Sequence, residues 1–206
     1  GIPPKPDSCP ELIWQALLGK SEKVKLLLNK GVDVNAADTN GWTALMHVTR
    51  RGDAKSIEDI LAVKPDVNKP AGDGRTALMI ASTLQSHPPG YRTYAFKWRD
   101  EQGHFFVEVL PPNPLSILES LIRAGADVNA SDREGRTALI CAAHQRHTET
   151  VKWLIRHGAN VNAKDKNNVS VLQYARGFYP QPKGVKKETD PLVDMLEKAG
   201  AIDSIN

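Results

Sequence analysis

Asp132-Arg-Glu-Gly135-Arg-Thr137-Ala-Leu-Ile-Cys-Ala-Ala143, completed by Thr150-Val-Lys-Trp-Leu-Ile-Arg-His-Gly158 and Ala159-Asn-Val-Asn162, is one full turn of a sequence that repeats. It runs from a glycine-containing polar turn through a hydroxyl residue, two apolar helical stretches and a terminating glycine to a closing asparagine. That asparagine recurs as Asn35, Asn68, Asn129 and Asn162, in steps of 33, 61 and 33 residues. The hydroxyl residue keeps the same beat at Thr43, Thr76, Thr137 and Ser170. A fixed period in this range marks a stacked-repeat protein. The middle step is 28 residues longer than the others, so one unit carries an insertion.

Each recurring residue has a physical task. Thr43, Thr76, Thr137 and Ser170 stand at helix starts, where a hydroxyl satisfies an orphan backbone N–H. Leu45, Leu78, Leu139 and Leu172 point inward from the first helix of each unit. Ile57, Ile60 and Leu61, then Ile117, Leu118 and Leu121, then Val151, Leu154 and Ile155 form the apolar stripe of the second. Gly31, Gly125, Gly158 and Gly200 end the second helix, and Gly41, Gly74 and Gly135 close the following turn. Asp33, Asp66 and Asp127 belong to the same repeating grammar. One helix pair cannot bury its own faces, so neighbouring units must supply the core.

Several linked motifs recurring in register over roughly residues 10 to 203 make this chain closely resemble the ankyrin-repeat family. The resemblance implies an all-α solenoid of stacked helix-turn-helix units with short β-turn fingers. Five units are expected, near 10–42, 43–75, 76–136, 137–169 and 170–206, after an extended lead-in over 1–9. In the first, Ser8-x-x-Glu11 reads as a capping box, and the first and last units read as caps. Two departures stand out. The histidine that follows Thr-Pro-Leu in the family is replaced by Met46, Met79, Ile140 and Gln173. Lys64-Pro65-Asp66 replaces Gly-Ala-Asp, which predicts an altered helix end in the second unit.

The insertion spans 86–113, and Asn113-Pro114 marks its exit as an N-cap followed by proline. It holds Tyr91, Tyr94, Phe96, Trp98, Phe105 and Phe106, half of the chain's twelve aromatics. Tyr94, Phe96 and Trp98 alternate with Ala95, Lys97 and Arg99; a polar break with Gly103 precedes Phe105-Phe-Val-Glu-Val-Leu110. Alternation on both sides of a turn predicts an inserted β-hairpin. A second, shorter addition lies within Gly177–Thr189, before Asp190-Pro191 restarts a helix.

Composition narrows the function classes. The net charge of +3 does not argue for nucleic acid, and no run of 18 apolar residues exists to span a membrane. Three stacking steps of about 10 Å separate Cys9 from Cys141, which precludes a disulfide. Cys141-x-x-His144-x-x-His147 has metal-like spacing, but its members diverge along a helix and a turn, and Cys141 reads as a small buried apolar residue. No catalytic motif is present, and neither catalysis, a cofactor nor a metal is expected. The chain starts at Gly1 without Met, and Gly1-Ile-Pro-Pro-Lys-Pro suits the stretch after a signal peptide, or a linker; the lean is to an exported protein.

The resemblance implies binding through the concave surface of turn tips and first helices. Carried over by position, this selects Trp42, Arg50, Arg51, Arg75, Arg133, Arg136 and His144, with Trp42, Arg75 and Arg136 in one row. Tyr94, Phe96, Trp98, Phe105 and Phe106 add the insertion. Exposed Trp beside Arg is the composition of a protein-binding hot spot, and the excess of Arg points to a partner with an acidic patch. The expected function is a non-enzymatic protein-interaction module. The alternatives are self-association as a homodimer through the hairpin, and an accessory domain of a larger enzyme or toxin.

Overall fold

The structure is a computed structural model that describes residues 9–84, 97–99, 105–107, 114–177 and 190–202. Among these residues ten α-helices follow one another in five pairs. They are α1 (Glu11–Leu17) with α2 (Ser21–Asn29), α3 (Ala44–Arg51) with α4 (Ala54–Ala62), α5 (Ala77–Ser82) with α6 (Pro114–Arg123), α7 (Ala138–His144) with α8 (Thr148–Arg156), and α9 (Val171–Arg176) with α10 (Pro191–Lys198). Each first helix packs on the next first helix, from α1 through α9. The second helices α2, α4, α6 and α8 stack likewise behind them. The result is a two-layer, all-α solenoid.

The helix starts follow from the hydroxyls. Thr43, Thr76 and Thr137 accept from the N–H groups of Met46, Met79 and Ile140. Ser170 forms a reciprocal capping box with Gln173. Leu45, Leu78, Leu139 and Leu172 are buried, as are Ile57, Ile60, Ile117, Leu118, Leu121, Val151 and Leu154. Leu61 and Ile155 pack against that core from its edge.

The stack is held in register at two places. At the base of each finger, Asn35, Asn68, Asn129 and Asn162 accept through Oδ1 from the N–H of Asp66, Asp127, Asn160 and Ile202 in the next unit, at 2.8–2.9 Å. The last three also donate through Nδ2 to the carbonyls of Gly125, Gly158 and Gly200, at 2.9, 3.1 and 3.2 Å. At the finger tips, the N–H groups of Gly72, Arg133 and Lys166 donate to the carbonyls of Asn40, Asp73 and Glu134. Gly74 is required here twice over. Its φ is +86°, and a Cβ would lie 2.5 Å from the backbone nitrogen of Arg133.

One local expectation is corrected and one is narrowed. The Ser8-x-x-Glu11 capping box does not start α1. Its N-cap is Pro10, with no side-chain cap, because the extended ψ of 142° at Pro10 delays the helix to Glu11. Glu11 instead accepts from Gln15 Nε2 at 2.6 Å; Ser8 and the residues before it lie outside the described residues. The end of α4 keeps the geometry of its neighbours. Lys64 adopts the left-handed conformation, φ 54°, that Gly31, Gly125, Gly158 and Gly200 adopt elsewhere. What is lost is one bond: Ala126, Ala159 and Ala201 donate back to Leu121, Leu154 and Leu196, whereas Pro65 has no N–H.

Of the insertion, two three-residue strands are described, β1 (Lys97–Arg99) and β2 (Phe105–Val107), antiparallel with Trp98 opposite Phe106. Tyr91, Tyr94, Phe96 and Asn113 lie outside the described residues, as does the shorter addition over 178–189. Pro114 opens α6. Asp190 caps α10 by accepting from Leu192 N–H at 3.0 Å, with Pro191 in the first turn.

These contacts set a stability order. Asn129→Ala removes two inter-unit hydrogen bonds and should cost about 2 kcal/mol. Asn35→Ala removes one side-chain bond and should cost about half as much. Lys64→Gly relieves left-handed strain and should add about 1 kcal/mol. Urea unfolding of the three variants checks the ranking; equal losses for Asn129→Ala and Asn35→Ala would refute the two-bond account.

Candidate functional site

The finger carboxylates connect the scaffold to the concave face. Asp38, Asp132 and Asp165 occupy one position of the repeat, five residues before Thr43, Thr137 and Ser170. In each, Oδ1 accepts two backbone N–H groups of its own finger: from Asn40 and Trp42, from Glu134 and Arg136, and from Asn167 and Val169. The other oxygen aims one side chain. Asp38 Oδ2 lies 2.9 Å from His47 Nε2, Asp132 Oδ2 accepts from Arg136 Nε at 2.9 Å, and Asp165 Oδ2 accepts from the Tyr174 hydroxyl at 2.8 Å. Counting each finger with the first helix that follows it, the third unit has Ala71 at this position and apolar Ile80 where the others have His47, Cys141 and Tyr174.

On that face the structure forms a cleft of about 430 Å³. The third unit lines it with Arg75, Met79, Ile80 and Thr83, the fourth with Arg136, Ile140, Cys141, His144 and Gln145, and the fifth with Tyr174. Met79 and Ile140 are almost wholly buried beneath it. Its reachable rim is polar. Arg75 continues the surface to the second unit, its guanidinium 5.5 Å from the Trp42 ring centroid, while Arg50 lies 5.7 Å from the same ring.

The residues selected from the sequence divide accordingly. Arg75, Arg136 and His144 come together in the cleft, with Trp42 and Arg50 adjoining through Arg75. Arg51 donates to the Leu17 carbonyl at 3.2 Å and braces the second unit on the first. The exposed Arg133 sits at a finger tip with its N–H on the Asp73 carbonyl. Trp98, Phe105 and Phe106 are described only in their strand pairing, and Tyr94 and Phe96 lie outside the described residues. Both row arginines are ion-paired, Arg75 with Asp73 at 2.6 Å and Arg136 with Asp132 at 2.8 Å. Asp132 has no exposed side-chain surface, so its pair with Arg136 is the structural one.

Cys141 is corrected from a sealed core residue to a half-buried one on the cleft wall. Burial lifts its thiol to about 11, so it stays a neutral thiol. His144 packs edge-on to Tyr174 at 5.5 Å, and His147 turns to the Ser82 carbonyl. Among the described residues no group of three His, Cys, Asp or Glu can hold a metal. Sequence reasoning missed Tyr174 and Cys141 as lining residues. The signal that finds them is the slot they share with His47, four residues after the capping hydroxyl.

A family model described as ankyrin repeats (3 copies) matches residues 12–89 and 108–180. The rat protein named ankyrin repeat and SAM domain-containing protein 6 (Rattus norvegicus) is 34% identical over 79 residues, 38% of this chain and 9% of that protein. The chain thus spans under a tenth of the length of this curated relative. Among the described residues no helix is long and apolar enough to cross a membrane.

Burial and hydrogen bonding oppose each other at Asp165. Burial raises its carboxyl, but donors from Val169, Tyr174 and Asn167 together hold it below the usual carboxylate range. Tyr174, by burial and its bond to Asp165, is pushed up to about 12. A carboxylate depressed in the folded state stabilises the fold above the unfolded value, near pH 4, and this is lost as pH falls through the folded value. Stability should therefore drop on acidification below about pH 4. In Tyr174→Phe the Asp165 share of that drop should be smaller and be complete at higher pH. Urea midpoints across an acid series read this; identical acid limbs would exclude the coupling.

Proposed function

The chain belongs to the ankyrin-repeat family, whose repeats generally serve protein–protein interaction, and from that premise we propose that it is a non-enzymatic module binding a polypeptide on its concave face. One observation carries this reading: Arg75 belongs to both the Trp42 surface and the cleft that Arg136, His144 and Tyr174 line. The row and the cleft thereby form one recognition surface, with a Trp and Arg core of the kind that dominates interface energetics. Arg50 and Arg133 extend it along the helix ends and the finger tips. The partner presents an acidic surface to this row. Residues 10–206 act as one repeat domain. The insertion, 86–113, follows Thr83, a cleft residue, in the chain, and in this reading is a hairpin whose Tyr94, Phe96, Trp98, Phe105 and Phe106 wall the groove.

The test uses a partner identified by affinity capture and reconstituted from purified components. Arg75→Glu should weaken binding at least about tenfold, and the exposed Arg75–Asp73 pair makes the substitution tolerable to the fold. Arg51→Glu, at the inter-unit brace, should leave affinity within about twofold. Loss at Arg51 with none at Arg75 would remove the concave face from the interface.

A further inference from the structure

The lining of the cleft holds two arginines and no carboxylate. Each guanidinium has five N–H groups. Among the described residues Arg75 donates to Asp73 through Nε, and Arg136 to Asp132 through Nε and one terminal nitrogen. The terminal groups of Arg75 and the remaining one of Arg136 have no acceptor there, and each side chain is 40% exposed. The acids that might neutralise them are committed, Asp73 and Asp132 to these pairs and Asp165 to its own finger and Tyr174. A site with two half-free guanidiniums at successive positions of one stack selects anionic side chains by charge-assisted hydrogen bonding.

The stack also sets the spacing. Packed first helices lie about 8–10 Å apart, so Arg75 and Arg136 recur at about that step. A polyproline II segment advances about 9.3 Å in three residues and returns to the same face. An extended strand presents the same face every two residues, about 6.8 Å, and falls short of the step. We propose that the cleft receives a polyproline II-like acidic segment of the partner with carboxylates three residues apart, Glu-x-x-Glu, one on Arg75 and one on Arg136. This rests on the concave-face reading above.

The probes are synthetic dodecapeptides of Pro and Ala carrying two Glu residues separated by one to five positions, with a Gln-x-x-Gln control. They are titrated into the full chain and followed by amide chemical shifts in NMR. Glu-x-x-Glu should bind at least about fivefold more tightly than the control and than the other spacings, with shifts centred on Arg75, Arg136 and Tyr174. Arg75→Gln should abolish the advantage of the second Glu while leaving the rest of the spectrum in place. Equal binding at all spacings, or no saturable shift, overturns the proposal. Peptides that occupy the cleft without needing carboxylates overturn it while leaving the concave-face reading intact. Acidic peptides that bind away from the cleft count against both.

Discussion

The two hydrogen bonds that one asparagine makes to the next unit are the constraint on which this structure rests. Asn68, Asn129 and Asn162 each accept a backbone N–H and donate to a glycine carbonyl across the unit boundary. Both partners belong to the segment that ends the next second helix. The asparagine therefore fixes where that helix stops as well as how far away it lies. This explains why the period survives the 28 extra residues: they enter between the two helices of a unit, leaving the boundary bonds of Asn68 to Gly125 and Asp127 intact. Loop length is thermodynamically cheap; a displaced boundary would not be.

A second set of bonds transmits that rigidity to the surface. Each finger aspartate spends one oxygen on its own turn and the other on a residue of the concave face. The orientation of His47, Arg136 and Tyr174 is thus inherited from the scaffold, and little side-chain entropy remains to be lost on binding. The third unit, with Ala71 and Ile80, contributes an apolar stretch at the matching place and leaves Arg75 to be held by Asp73 and the face of Trp42. The row is accordingly graded, from an aromatic platform at the second unit to a donor-rich cleft at the fourth.

Most of the fold was legible because the repeat states each local requirement several times. The capping hydroxyls, inward leucines and helix-ending glycines of the reading are the residues that do those jobs. The first cap was misread because Ser8 and Glu11 fit a capping box in spacing alone, while Pro10 between them delays the helix. At Lys64-Pro65 the changed helix end that composition suggested amounts to a lysine in the glycine geometry and the loss of one backbone bond. The site was half legible. Arg75, Arg136 and His144, chosen by repeat position, line the cleft, and Arg51, chosen by the same logic, donates one N–H to the Leu17 carbonyl.

What the sequence determined by itself is the unit, its period and the positions that face the groove, since these are local and repeated. Which of those positions share a cleft was decided only by packing. Ile80, Cys141 and Tyr174 lie 61 and 33 residues apart, and stacking of α5, α7 and α9 brings them side by side. Whether a surface arginine is available to a partner was also a tertiary matter. Its neighbours across the unit boundary, a carbonyl for Arg51 and an indole for Arg75, are set by the register of the stack and add to the local carboxylates, Asp73 and Asp132, that hold Arg75 and Arg136.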